Sequence, residues 1–185
     1  LGGLGGTGDY LLAPSLPYGA SGEHEGFPGT VSIGTEALTT VLIEYGRSAC
    51  RWAKRLVFVN AHGGNASALL AGVRRLRYEG RDVAWYPCAF PAADAHAGRT
   101  ETAVLLTITP EDVRMEDAEA GETRPIAELL DRLRTDGVAG VSANGVLGDP
   151  RGAQAATGEA ELTAVAAGLG SALTSWQVGD DGRLR

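Results

Sequence analysis

The chain has 185 residues, 44% of them hydrophobic and 21% charged, enough for a soluble globular core without disulfide or metal staples. Sixteen basic side chains stand against 23 acidic ones, a net charge of −7, which argues against nucleic acid or an anionic membrane as partner, since both reward a basic surface. No apolar run approaches the roughly 18 residues of a membrane span, and two cysteines, Cys50 and Cys88, are too few for a disulfide framework, so the expected compartment is the cytoplasm.

Taken in chain order, the glycine-rich opening Leu1–Gly6 reads like the interior of a longer sequence, and an N-terminal segment is expected to precede it. Tyr10–Ala13 is a short apolar run between glycine and proline and predicts a buried strand. Residues 14–29 form a turn-rich loop, and Thr30–Ile33 a brief strand. A helix follows with Thr35 as its N-cap, burying Leu38, Leu42, Tyr45, Ala49 and Trp52 at spacings of three and four. Leu56–Val59 is continuously apolar, as in a parallel strand covered on both faces. Asn65 is placed to cap the next helix, which runs to about Glu79 and stops at Gly80, and Val83–Tyr86 predicts a second strand. This strand–loop–helix–strand unit implies a right-handed crossover. A short helix begins near Gly98, and Pro125 suits the first position of another through Arg134. Residues 137–158 are irregular. Glu159–Gln177, capped by Thr157, predicts the last helix, with a frayed tail after Val178. The class is α/β, with residues 1–185 as one domain.

The sequence has three histidines. His24 lies in Tyr18-Gly19-Ala20-Ser21-Gly22-Glu23-His24-Glu25-Gly26-Phe27-Pro28-Gly29-Thr30, where an acidic surface turn explains it equally well. His62 follows a buried strand in Asn60-Ala61-His62-Gly63-Gly64-Asn65. Open α/β sheets form their sites at such carboxyl ends. Two glycines there admit a ligand to the backbone, and the next helix aims free N–H groups at the same place. A phosphate-type loop is the other reading, but no P-loop Lys or Ser/Thr follows. His96 lies in Asp94-Ala95-His96-Ala97-Gly98-Arg99-Thr100-Glu101-Thr102. With Asp94 and Glu101 it offers an imidazole and carboxylates, donors that suit Zn²⁺, Fe²⁺ or Mn²⁺. The same two carboxylates serve equally as a turn cap and a helix-start residue. Cys50 reads as core packing, and Cys88 is placed to line a pocket.

Together, in this order, these three stretches resemble the creatininase family of metal-dependent amidohydrolases. The wording of the first two is most similar to a family member that trims the precursor of a peptide-derived redox cofactor. The resemblance implies a three-layer α/β/α fold with a mostly parallel sheet, two divalent metals (Zn, Fe or Mn) per complete active site, and a homo-oligomer acting on a peptide substrate. It implies His62 and Glu101 as metal ligands, His96 and His24 as catalytic groups, and Gly63, Gly64 and Asn65 as substrate-binding residues. The expected reaction is metal-assisted hydrolysis of a C–N amide bond. Two departures from the family pattern stand out. The family's Glu-x-His-Gly motif, which supplies most of its metal ligands, is not in this sequence, and His62-Gly63-Gly64 stands where creatininase has His-Tyr-Glu. A non-catalytic remnant of the same fold and a small cyclic-amide hydrolase are the alternatives.

Overall fold

A computed structural model of the chain describes residues 10–90 and 93–185; the glycine-rich opening lies outside them. In chain order the elements are α1 (Gly34–Ala49), β1 (Leu56–Asn60), α2 (Ala66–Tyr78), β2 (Val83–Pro87), α3 (Arg99–Ile108), α4 (Ile126–Asp136) and α5 (Ala155–Ser175), with short 3-10 turns between them. They fall into two compact units. The first holds the described residues up to 21, then 31–89 and 166–185; the second holds 22–30 and the described part of 90–165.

The first unit is built on the expected strand–helix–strand segment. β1 and β2 pair in parallel, from Leu56 opposite Val83 to Asn60 opposite Pro87. Side chains alternate across a strand, and the alternation sorts the core into two layers. Leu56, Phe58, Val83 and Trp85 face α1 and α2, against Leu38, Leu42, Leu69, Val73 and Leu76. Val57, Ala84 and Tyr86 face the other way, against Leu169, Ala172 and Leu173 of α5. Helices thus cover both faces of the strand pair, as a parallel arrangement requires. Full burial of a side chain such as Leu76 stabilises the fold by about 1.5–3 kcal/mol.

Several expectations are corrected here. Tyr10–Ala13 forms no strand, and Leu11 and Leu12 are 76% and 82% exposed; an apolar run becomes a strand only where a partner offers its backbone. Thr30–Ile33 forms no strand, and Ile33 already has a helical backbone (φ −92°, ψ −5°) ahead of α1. Thr35 lies inside α1; the Gly34 N–H is instead taken by the Ser32 hydroxyl at 3.2 Å. Trp52 falls beyond the end of α1 and is 71% exposed, because the helical period it was counted on has stopped. Val59 is 52% exposed, so β1 is not covered on both faces along its whole length. The tail is not frayed. Trp85 donates its N–H to the Gly182 carbonyl at 3.0 Å, and Leu184 donates to the Trp85 carbonyl at 2.8 Å. Arg183 thereby makes an isolated parallel bridge to β2 and Leu184 is buried, so the last residues are tied to the sheet edge.

In the second unit α3 packs on the first turns of α5. A Cβ at Gly158 would lie 2.1 Å from the Ala103 carbonyl oxygen, and the Thr107 hydroxyl donates to the Ala155 carbonyl at 2.8 Å. That close approach requires glycine at 158; α5 starts at Ala155, with Thr157 inside it and not capping it. Among the described residues no helix is long and apolar enough to cross a membrane.

A charge cluster ties α1 to α2. The Glu79 carboxylate accepts from Arg47 (Nε at 3.0 Å), from Arg75 (2.7 Å) and from Arg81. Hydrogen bonds from Arg47 and then Arg75 hold its pKa down at about 2, below the usual 4.5. A carboxylate whose folded pKa is depressed adds stability that is complete above its unfolded value and lost as pH falls through the folded one. The melting temperature of the wild-type protein should therefore fall more between pH 5 and pH 2.5 than that of Glu79→Gln, as thermal melts across that range would show. Parallel pH profiles for the two proteins would rule the cluster out as a contributor.

Candidate metal and catalytic site

In the first unit His62 sits just beyond β1, where the main chain turns into α2 through a 3-10 turn at Gly63–Asn65. Asn60, the last residue of β1, fixes this turn. Its amide donates to the His62 carbonyl at 2.8 Å, and its oxygen accepts from the Asn65 amide at 3.2 Å. Asparagine directly after a strand commonly bonds its own backbone two residues on. Asn65 stands at the N-cap of α2 without capping it. Its side-chain oxygen accepts the Ala20 N–H at 2.9 Å instead, so it clamps the Gly19–Ala20 loop beside the turn. Space near Gly19 is tight: a Cβ there would lie 2.5 Å from the Asn65 oxygen, whereas one at Gly63 would meet nothing within 4 Å. Packing does not demand glycine at 63.

Cys88, half-buried at the end of β2, donates its N–H to the Asn60 carbonyl at 2.7 Å. Burial pushes its thiol pKa up, which opposes the thiolate a nucleophile needs. Cys50 is shifted the same way by burial and packs against Val73, Leu76 and Val83, as the sequence suggests.

The second unit brings His24, His96 and Glu101 together. The two imidazole rings are 4.5 Å apart between centroids and tilted by 49°. His96 Nδ1 lies 3.5 Å from Glu101 Oε2, and His24 Nε2 lies 3.8 Å from Glu23 Oε1. Two imidazoles and two carboxylates thus form one continuous group. Glu23 is the member that sequence reasoning missed. Its only signal was its place beside His24, and an acidic turn accounts for that equally well.

Each member is held through its backbone. His24 is in a 3-10 turn, and its carbonyl accepts from the Thr30 hydroxyl and the Phe27 N–H, both at 3.0 Å. The Glu23 carbonyl accepts the Val138 N–H at 2.8 Å, just past α4. Gly137 makes that approach possible: its φ is +67°, and a Cβ would come within 2.9 Å of the Glu23 carbonyl oxygen. His96 forms an antiparallel bridge with buried Leu147, exchanging N–H and carbonyl bonds at 3.2 and 2.9 Å.

Asp94 has a different task from the metal-side role open to it from sequence. Its carboxylate accepts the N–H groups of Arg99 and Thr100 in the first turn of α3, two of the orphan donors of a helix start, where negative charge also suits the dipole. Glu101 reaches back to the Ala97 N–H in the manner of a capping-box carboxylate. Ala97 accordingly takes a left-handed φ of +52°, a conformation that costs an L-residue about 1–2 kcal/mol. Glu101 is therefore both a helix-start residue and the carboxylate beside His96.

The sequence comparisons are consistent with this arrangement. The family model for creatininase (creatinine amidohydrolase) matches residues 4–173. A mycofactocin precursor peptide peptidase of Mycolicibacterium smegmatis is 56% identical over 176 residues, 95% of this chain and 71% of that protein. The mycofactocin precursor peptide peptidase of Mycobacterium tuberculosis H37Rv is 53% identical, over 95% of this chain and 70% of its own. Among solved structures, a candidate creatinine amidohydrolase of Bacteroides fragilis superposes with a TM-score of 0.70 at 23% identity, covering 86% of this chain and 69% of that one. A mutant creatininase of the Zn-Zn type gives a TM-score of 0.63 at 23% identity, covering 84% of this chain and 69% of that one. The chain belongs to the creatininase family and is an amidohydrolase with the creatininase-like α/β fold.

Asp94→Asn keeps one of the two oxygen acceptors at the start of α3 and should lose only part of the stability that Asp94→Ala loses, with metal content at saturating ion near the wild-type value. Asp94→Ala should cost about 1–2 kcal/mol in urea unfolding. Loss of all metal at saturating ion in a folded Asp94→Asn protein, and not merely a weaker affinity, would instead make this carboxylate a ligand.

Proposed function

We propose that the protein is a metal-dependent peptidase that hydrolyses a C–N amide bond in the C-terminal part of the mycofactocin precursor peptide. The observation that carries this reading is the gathering of His24 and His96 with Glu23 and Glu101 in the second unit, in a chain 56% identical to a named peptidase of that peptide. Imidazole nitrogens and carboxylate oxygens are ligands that Zn²⁺, Fe²⁺ and Mn²⁺ accept in common, and Glu101 is the member of this group proposed to bind one, with His24 and His96 kept for catalysis. His62 and Glu101 are proposed as ligands, in a complete site that takes two metals. When bound, a divalent ion supplies Lewis-acid polarisation of the scissile carbonyl and a water nucleophile at neutral pH.

The chain's own groups do the rest. Glu101 beside Nδ1 orients the His96 ring and leaves Nε2 to carry a proton to the departing amine. His24, tilted against the His96 ring at 4.5 Å between centroids, lines the same place and restricts how the ring can turn. In the first unit the Gly63–Gly64 turn leaves main chain open to a peptide, and the Asn65 clamp holds it still. A homo-oligomer is part of the proposal, favoured by the exposed apolar side chains of Leu11 and Leu12.

Protein purified without chelator and offered iron, zinc or manganese should bind metal and release a C-terminal fragment from the precursor peptide, followed by mass spectrometry. His62→Ala and Glu101→Ala should each lose metal and cleavage together. His96→Ala should keep its metal while kcat drops by about 10²–10⁴-fold, the usual worth of a positioned acid or base. Full metal and turnover in His62→Ala would overturn the ligand assignment.

The glycine turn has a separate test. Since a Cβ at Gly63 meets open space, Gly63→Ala should melt within about 2 °C of the wild type and raise KM at least threefold. An unchanged KM would remove Gly63 from the substrate-binding set.

A further inference from the structure

The end of the first unit away from His62 collects positive charge. β1 runs from Leu56 toward His62, so the C-terminal ends of α1 and α2 lie at the start of the strand pair. Residues 47–82 carry eight arginine and lysine side chains and two carboxylates. Glu79 serves Arg47, Arg75 and Arg81, while Asp82 serves Arg55 at 3.1 Å and Arg77 at 3.8 Å. Arg51, Lys54 and Arg74 are exposed and meet no carboxylate among the described residues. Two large aromatics stand out from the same end, Trp52 at 71% and Tyr78 at 85% exposure. A merely solvated charged face needs neither of them. Trp, Tyr and Arg are the residues that carry most of the binding energy at protein interfaces. The second unit has the opposite balance, sixteen carboxylates against six cations. Six of those carboxylates fall in residues 110–122, a segment built on two 3-10 turns, Pro110–Asp112 and Met115–Asp117. Its one cation, Arg114, is spent on Asp117 at 3.1 Å, while Glu111, Asp112, Glu116 and Glu119 are exposed.

Resting on the homo-oligomer part of the reading above, we propose that the basic, aromatic end of the first unit binds residues 110–122 of a second copy of this chain. The two surfaces differ, so the contact is head-to-tail and each copy offers one of each. Opposite charge steers such surfaces together and fixes their register, while like ends repel. A nucleic acid would suit the basic end alone, but the carboxylates of the second unit repel a polyanion.

The test is the mass of the assembly formed by the full chain, followed by sedimentation. Association of the wild type should weaken at least tenfold between 0.1 and 1 M salt, as the Debye length shortens from ~10 to ~3 Å. Arg51→Glu/Arg74→Glu and Glu116→Arg/Glu119→Arg should each give a smaller species. Mixed together, the two variants should associate, because each still carries the surface that the other has lost. Trp52→Ala should weaken association without changing its salt dependence. Thermal melts verify folding, and Arg51→Gln/Arg74→Gln repeats the measurement if the reversed variant does not fold. Wild-type mass in both reversed variants overturns the contact while the oligomer stands. Variants that each lose mass but ignore one another in the mixture overturn it as well, since the two surfaces then belong to different contacts. Reversals at 51 and 74 that leave the mass alone and abolish binding to heparin assign the basic end to a polyanion instead. A wild type that is monomeric at every concentration removes the oligomer and the contact together.

Discussion

The carboxylate of Asp94 accepts two main-chain N–H groups in the first turn of α3, and much of the second unit's chemistry is arranged around that pair of bonds. The approach is so close that a Cβ at Gly98 would lie 1.6 Å from one carboxylate oxygen, and one at Gly148 would lie 2.5 Å from it. With Gly98 and Arg99 fixed, the backbone between Asp94 and α3 has little freedom left. His96 takes up a bridge to Leu147, Ala97 is driven into the left-handed region, and Glu101 receives its N–H. The strain at Ala97 persists because bonds on both sides over-determine it, as is usual where a site demands an unfavourable backbone. The relative placement of His96 and Glu101 thus follows from an aspartate that touches neither reacting group.

The first unit reaches the same end with amides in place of carboxylates. Asn60 and Asn65 bond to each other, to the His62 carbonyl and to the Ala20 N–H, so the turn that carries His62 is held by side chain-to-backbone bonds. The strand beneath it is anchored by Phe58 and Trp85 against α1 and α2. A loop built on neutral amides keeps its geometry over the whole working pH range, because asparagine does not titrate. That suits a segment whose glycines leave the backbone open and would otherwise be mobile.

The sequence discloses these features unevenly, and the reasons are physical. The parallel pair and its crossover helix are legible because Leu-Val-Phe-Val and the Gly80 stop are local signals. The histidine segments are legible because three residues of one rare type recur in glycine-bounded loops. What is not legible depends on partners distant in the chain. Tyr10–Ala13 has the composition of a strand but no ladder to join, while the charged tail lacks that composition and gains a β-bridge because Trp85 offers its backbone to residues near 183. Asp94 and Asn65 both have a cap and a site role open to them from sequence, and which N–H groups each one reaches is set by the folded loop. Glu23 enters the histidine group only once the fold brings the His24 and His96 rings into contact.

Glu101 shows why its two sequence readings were not exclusive. A carboxylate offers about four lone-pair positions, and the Ala97 N–H uses one of them while the His96 ring stands at 3.5 Å from the same oxygen. An ion drawn to the remaining positions would bind a carboxylate that also holds the start of α3. On the proposed metal reading, ligand binding and the order of this helix start are therefore linked, and metal that binds only the folded form stabilises it by mass action. The same linkage runs in reverse. Any change that loosens Asp94, Ala97 or Gly98 lowers metal affinity without removing a ligand, because part of the binding energy is then spent on re-ordering the first turn of α3. The structural and the chemical roles of this carboxylate are two consequences of one geometry.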